Sequence, residues 1–387
     1  MLEPPARSIE ETRGLFRQQM PVARKWAYFD HAAVAPVTAP AAAAMHRCVD
    51  QSLAEGDTVW TQWARQLRET RQLAAALVGA EADEIALTPN TTAGITLVAE
   101  GIDWRPGDNV VALADEYPSN LYPWMNQADR GVETRLAPTD EGRVDYDQLA
   151  ALCDRRTRVV TVSWVAFSNG CRRDLGRIGE IAAGCGALLM VDAIQGLGAF
   201  PLDVHDAPID FLAADGHKWM LGHEGAGFAY IRRDRLPLLR PLGVGAHSVV
   251  QGNDYTRIEL ALKNNASRYE GGSINVPGMV GLGASLQLLQ SIGIENIAAA
   301  ILDVTDRLCR ELPRLGLRVV SPREGDERSG IVSFESPGDP ADVRRHCLEQ
   351  GVALAARAGR LRASAHGYND EADVERLIRA LSTYGKR

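Results

Sequence analysis

The sequence predicts an α/β fold: a large domain built on a mostly parallel sheet wrapped by helices, followed by a smaller α+β C-terminal domain. Three observations lead there. Between residues 84 and 231 short β-branched runs alternate with longer amphipathic stretches, the rhythm of a helix-wrapped sheet. Several of those runs are apolar throughout, as strands covered on both faces are. Beyond about residue 293 the rhythm changes to short strands with fewer helices. At 387 residues the chain exceeds what one core usually holds. Two domains are therefore expected, residues 24–288 and residues 289–387, the second joined by the N-terminal segment 1–23.

In chain order, EIALT (84–88), NVVALA (109–114), RVVTVSW (158–164), ALLMVD (187–192), DFLAA (210–214) and GFAYI (227–231) read as strands. Helical stretches fall between them at 92–104, 119–129, 145–153 and 174–185. GLGASLQLLQSIG (281–293) has apolar residues at helical spacing, ends on glycine, and suits a helix joining the two domains. LRVV (317–320) and GIVSF (330–334) then precede a helix near 340–350, and VALAA (352–356) and LRAS (361–364) precede a last helix near 370–384.

Composition excludes several classes. A net charge of −8 argues against general nucleic-acid binding, which needs a concentrated positive face. The six cysteines, Cys48, Cys153, Cys171, Cys185, Cys309 and Cys347, form no CxxC pair and fit reduced thiols better than a disulfide framework or a zinc site. The opening MLEPPARSIEETRGLF lacks the apolar stretch of a signal peptide, and no apolar run reaches the roughly 18 residues of a membrane span. A cytoplasmic enzyme is expected.

Four short segments carry chemistry. Lys218, in DGHKW (215–219), follows the strand-like DFLAA and so sits at the sheet edge where α/β folds bind ligands; alone it also reads as a surface lysine. Asp192 ends ALLMVD, with Gln195 three residues on; alone it also reads as a turn or capping aspartate. Thr91 and Thr92, in TPNTTAG (88–94), offer hydroxyls and amides at a helix start, suited to a phosphate or to simple capping. Tyr117, in DEYPSN (115–120), suits stacking on a flat ring or ordinary packing. All four follow predicted strands and can converge on one edge of one sheet. An amine, an acid, a phosphate seat and a flat group are together what pyridoxal 5′-phosphate (PLP) requires.

With these motifs the chain resembles the class V aminotransferase family of PLP-dependent enzymes, of fold type I, in the branch that holds cysteine desulfurases and isopenicillin N epimerase-like proteins. The resemblance runs from YFDHAAVAP (28–36) to RASAHGYND (362–370). It implies that Lys218 of Gly216–His217–Lys218 holds PLP, that His217, Thr91 and Thr92 contact the phosphate, and that Asp192 and Gln195 face the ring nitrogen and ring hydroxyl. Tyr117 takes the stacking position. RYEGGSIN (268–275) resembles a family segment in which Ser273 would reach the phosphate of a neighbouring subunit, implying a homodimer with shared sites. Arg362, in RASAHGYN, would hold the carboxylate of an amino-acid substrate.

Departures from the family pattern bear on the reaction. Desulfurases carry a cysteine on a loop before that arginine, whereas ALAARAGRLRAS (353–364) has none and Cys347 falls on the preceding predicted helix. Phe167 stands where a family asparagine supports the ring hydroxyl. Asp215 replaces a phosphate-binding serine and is expected to turn elsewhere, since a carboxylate would repel a phosphate. His31 is expected near the substrate, and residues 242–267, with Ala246 and His247, are expected to shape the side-chain pocket. The expected activity is β-elimination, of C–S type, on an α-amino acid; transamination and epimerisation are the alternatives, and a non-catalytic binding protein on the same fold is the reading from another class. A nucleotide-dependent oxidoreductase fails because GVGAHS (243–248) is a late fragment of GxGxxG opening no βαβ unit. A metal hydrolase on His217 and His223 fails on spacing. No metal, nucleic-acid partner or membrane partner is expected.

Overall fold

The computed structural model describes residues 5–385. A seven-stranded sheet forms from β1 (Ile85–Thr88), β2 (Asn109–Leu113), β3 (Glu133–Ala137), β4 (Thr157–Ser163), β5 (Leu188–Asp192), β6 (Phe211–Asp215) and β7 (Gly227–Ile231). Its order is β1-β7-β6-β5-β4-β2-β3, with β7 antiparallel to both neighbours and the remaining pairs parallel. Most of these strands are buried along their whole length, which explains their unbroken apolar sequences. β3, ETRLA, was not expected from sequence: its polar residues mark it as an edge strand, exposed or half-buried in four of its five positions.

The helices are α1 (Ile9–Gln18), α2 (Ala39–Glu55), α3 (Trp60–Leu77), α4 (Thr91–Gly101), α5 (Leu175–Cys185), α6 (Val276–Ile292) and α7 (Ile294–Glu311); α3, α4 and α5 pack on the sheet, and α1 packs on α7. The expected helix at 281–293 begins earlier, at Val276, behind an Asn275 cap, and ends where Gly293 takes φ +97°. It is buried along most of its length and packs on α2 and α3. The stretch 119–129 is broken into short turns rather than one helix, because Pro118 and Pro123 interrupt it. No single helix among the described residues is long and apolar enough to cross a membrane.

A second sheet holds β8 (Ile331–Phe334), β9 (Ala355–Arg357) and β10 (Arg360–Ser364), in the order β8-β10-β9, and α8 (Pro340–Glu349) and α9 (Glu371–Thr383) pack beside it. Of LRVV (317–320), only Val319 bridges to Phe334. The boundary expected at residue 24 is crossed in both directions. Phe16 and Met20 belong to the larger core, whereas Ala27 and Phe29 belong to the smaller one, and Ala27–Tyr28 pairs in parallel with Val352–Ala353.

Candidate active site

A cavity of ≈ 190 Å³ opens at the C-terminal edge of the sheet, where the crevice of an α/β fold forms. Seven of the residues singled out from sequence line it: Thr91, Thr92, Tyr117, Asp192, Gln195, His217 and Lys218. They come from the ends of four strands, β1, β2, β5 and β6, or the turns after them, so sequence-distant residues meet without any long loop.

Lys218 sits in a tight turn after β6. Gly222 N donates to Gly216 O at 2.8 Å and Leu221 N to Lys218 O at 3.1 Å. The turn drives the fully buried Leu221 to φ +56°, a left-handed conformation that costs a β-carbon-bearing residue energy and is held by its surroundings. Burial lowers the pKa of the Lys218 ammonium, opposed by the Asp192 carboxylate. Burial likewise raises the pKa of the Asp192 carboxyl, opposed by a hydrogen bond from Ile194 N (3.0 Å) and by Lys218. A shielded amine whose proton is loosened is a competent nucleophile and base.

At the other end of the cavity stands the N-terminus of α4. Asn90 caps it, accepting from Ala93 N at 2.8 Å, and the amides of the first turn have no partners within the helix. Gly94 permits this approach, because a Cβ there would lie 2.7 Å from Ala213 Cβ in β6. Thr91 Oγ1 accepts from Asp215 N at 3.0 Å. Contrary to expectation, Asp215 does not turn away: it lines the cavity, with Oδ2 2.9 Å from His217 Nδ1 and Oδ1 without a hydrogen-bond partner. The imidazole is the polar group that faces this carboxylate on the wall, although Nδ1 and Oδ2 are not aligned as a hydrogen bond.

Gln195 is anchored from both ends, donating to Ala32 O (3.0 Å) and accepting from Trp219 Nε1 (2.9 Å). Tyr117 meets Phe167 edge-on at 5.2 Å between ring centroids, and Lys218 Nζ lies 5.7 Å from the centroid of the Tyr117 ring. Arg362 is 2 % exposed. Its Nη1 donates to Phe167 O at 2.7 Å, Nη2 lies 3.7 Å from Asp30 Oδ1, and Nε and Nη2 have no hydrogen-bond partner. Burial pushes its pKa down to about 10. A buried guanidinium with two free donors is suited to a carboxylate.

Three expectations need correction or relocation. His31 is fully buried and does not line the cavity. Its Nδ1 contacts Ser364 O and its Nε2 the Tyr368 hydroxyl, each at 2.8 Å, and burial pushes its pKa down to about 3. Ser273 is exposed and outside this cavity. Residues 244–260 form a separate depression that includes Ala246, while His247 contacts Gly272 O.

Sequence reading missed what lies beneath Asp192. Glu116, fully buried, accepts from Arg173 Nη1 (2.6 Å), Ser163 N (2.7 Å) and Asn120 Nδ2 (3.0 Å); Arg173 Nη2 also reaches Asp115 at 2.6 Å. Ser163 lines the cavity, so this pair braces its floor. Nothing local links the Glu116 of DEYPSN to an arginine 57 residues later.

The donor set fits PLP: an amine at the sheet edge, a buried acid beside it, a helix N-terminus with an imidazole, a flat aromatic, and an orphaned guanidinium for a substrate carboxylate. Comparison with known proteins agrees. The aminotransferase class-V family model matches residues 27–380. A probable cysteine desulfurase of Methanothermobacter thermautotrophicus is 33% identical, over 94% of this chain and 96% of the relative; one from Pyrococcus abyssi is 30% identical over the same shares. Among solved structures, the apo cysteine desulfurase of Thermococcus onnurineus superposes with TM-score 0.88 at 26% identity, covering 99% of each chain. A mutant of C-DES with glycine covalently linked to its PLP cofactor gives TM-score 0.90 at 25% identity, over 95% of this chain and 99% of that one. The cystine C–S lyase C-DES bound to its product cysteine persulfide gives 0.89 at 25% identity, over 95% and 100%.

Proposed function

This chain belongs to the class-V aminotransferase family and is a PLP-dependent enzyme of fold type I, and from that premise we propose that it is a lyase cleaving a C–S or similar bond at the β-carbon of an α-amino acid, with no cysteine nucleophile of its own. One observation carries the proposal. The stretch where desulfurases hold their cysteine loop is here a closed hairpin, β9 and β10 joined by the two-residue turn Ala358–Gly359, at φ +49° and +72°, the mirror-image turn that suits a tight hairpin. It contains no cysteine, and Cys347, the nearest, is buried in the smaller core.

When bound, PLP supplies an electron sink that acidifies the α-carbon of the substrate. Thr91, Thr92 and His217 would hold its phosphate, Asp192 its ring nitrogen and Gln195 its ring hydroxyl, with Tyr117 against the ring. Lys218 would hold the aldehyde, and its free amine would be the base beside the substrate α-carbon, where proximity supplies much of the rate. Arg362 fixes the substrate carboxylate and therefore which bond at the α-carbon faces Lys218. The leaving group departs from the β-carbon with the electron pair of its bond.

Ser273, exposed in one protomer, supports a dimer in which it reaches the partner's phosphate site; the exposed Tyr255 (79%), Ile258 (90%) and Leu260 (74%) support a covered face nearby. Six unpaired thiols support a reducing compartment such as the cytoplasm.

Borohydride reduction of the holoenzyme should leave a stable adduct on Lys218. A mixed amino-acid pool should yield a ketoacid with released sulfide or thiol. Lys218→Ala should lose the adduct and several orders of magnitude of activity. Turnover giving D-isomer or amino-group exchange without sulfur release overturns the lyase assignment, and a mild loss in the variant overturns the role of Lys218.

A further inference from the structure

The hairpin that brings Arg362 to the site carries two more arginines on the same face. Its register pairs Ala355 with Arg362, Ala356 with Leu361 and Arg357 with Arg360. Cross-strand partners share a face, and faces alternate along a strand. Leu361 and Ala363 point into the smaller core. Arg357, Arg360 and Arg362 therefore project to the opposite side, the one from which Arg362 reaches Phe167 on the cavity wall.

Charge on this side is out of balance. The acid beside Arg362 is Asp30, loosely placed 3.7 Å from it, with Oδ1 lacking a hydrogen-bond partner. It feels the positive charges of Arg362, Arg344 and Arg357 together. Arg344 is occupied by the Leu354 carbonyl at 3.1 Å. Arg357, exposed near the turn, is close enough for its charge to act on both Lys218 and Arg362. A substrate α-carboxylate answers Arg362, and Arg357, exposed on the same face of the hairpin and outside the cavity lining, acts on Asp30 only at a distance and makes no ion pair among the described residues.

We infer that Arg357 is a specificity-determining residue that takes a second acidic group, so that the enzyme's substrates are amino acids whose side chain ends in a carboxylate. The inference rests on the functional reading above, in which Arg362 takes the α-carboxylate. Arg357 stands on the hairpin that replaces the cysteine loop, so the same shortening that removes a nucleophile supplies a cation in its place. A planar guanidinium recognises a carboxylate and discriminates against the corresponding amide, which brings no charge.

The test pairs acids with their amides at three side-chain lengths: aspartate with asparagine, glutamate with glutamine, and S-carboxymethylcysteine with S-carbamoylmethylcysteine. Each is titrated into the holoenzyme and its Kd read from the change in the visible absorbance of the cofactor. The wild type should bind the acid of at least one pair about ten-fold or more tighter than the amide, with the ratio falling as salt screens an exposed cation. Arg357→Gln should bring the ratio near one while leaving the Kd of the amide unchanged, and Arg357→Lys should recover part of it. Amides bound as tightly as acids by the wild type, or a preference that survives Arg357→Gln, overturns the inference while leaving the lyase reading intact. A holoenzyme whose spectrum responds to no amino acid overturns the lyase reading itself, and this inference with it.

Discussion

The Glu116–Arg173 pair gives the sharpest quantitative test of how the site is supported. Both side chains are essentially sealed from water, at 0% and 1% exposure, and lie 2.6 Å apart. Removing one partner of such a pair leaves an uncompensated buried charge and costs about 3–5 kcal/mol. Glu116→Gln keeps the shape and can still accept from Ser163 N, and Arg173 retains Asp115, whose side chain is 22% exposed; the loss should fall near the lower end, about 3 kcal/mol. Arg173→Met leaves Glu116 without its cation and should cost more. With an unfolding entropy of about 2.1 cal/mol/K per residue over 387 residues, the 3–5 kcal/mol range corresponds to a fall of roughly 4–6 °C in the first cooperative transition. Glu116→Gln/Arg173→Met removes both charges and should recover part of the loss, because a well-packed apolar replacement of a buried pair is often close to neutral. Differential scanning calorimetry of the four proteins closes the cycle. Single variants that lose less than about 1 kcal/mol, or a double variant that loses the sum, would refute the account of a desolvated pair bracing the cavity floor.

Three further outcomes follow from the same structure. His31 and His366 are buried neutral, pushed by burial down to about 3 and about 4, whereas the unfolded chain protonates near 6.5. The unfolded state therefore binds more protons below pH 6.5, and stability should fall by up to about 1.4 kcal/mol per pH unit for each histidine as pH drops from 6.5 towards 4, with no such loss above pH 7. Urea midpoints at pH 7, 6 and 5 measure this, and a His366→Gln variant with an undiminished slope would count against it. Ala358 sits at φ +49° in the hairpin turn, so Ala358→Asn, making Asn-Gly, should stabilise the protein by about 0.5–1 kcal/mol in denaturant titration; a loss would contradict the turn assignment. Asp192→Asn should weaken PLP binding and lower kcat/KM at least about a hundred-fold, and a variant within ten-fold of wild type on both measures would count against the proposed role of Asp192 at the ring nitrogen.

Much of this molecule is written in local sequence. Apolar runs fully buried in the sheet cannot be solvent-facing, and residues that directly follow such runs share the sheet's C-terminal edge, so Thr91, Tyr117, Asp192 and Lys218 could be brought together from strand order alone. Periodicity failed where a segment's character comes from its neighbours. β3 is polar because it is an edge, and α7, amphipathic over Ile294–Glu311, begins directly after the glycine that ends α6, with no local signal separating it from the connection that follows. His31 was misplaced because its motif position says nothing about the Tyr368 hydroxyl and Ser364 carbonyl that enclose it. Asp215 stays on the cavity wall, facing the imidazole of His217, a contact that repulsion from a phosphate alone does not predict.

What the sequence determined by itself was the sheet, its functional edge and the amine placed there, since each depends on hydrophobic pattern and chain order. Tertiary structure decided which polar groups face one another: Glu116 and Arg173, Asp215 and His217, and Asp30 and Arg362. Charge pairing acts through space over a few ångströms, between residues that can lie tens to hundreds of positions apart, and no local pattern records it.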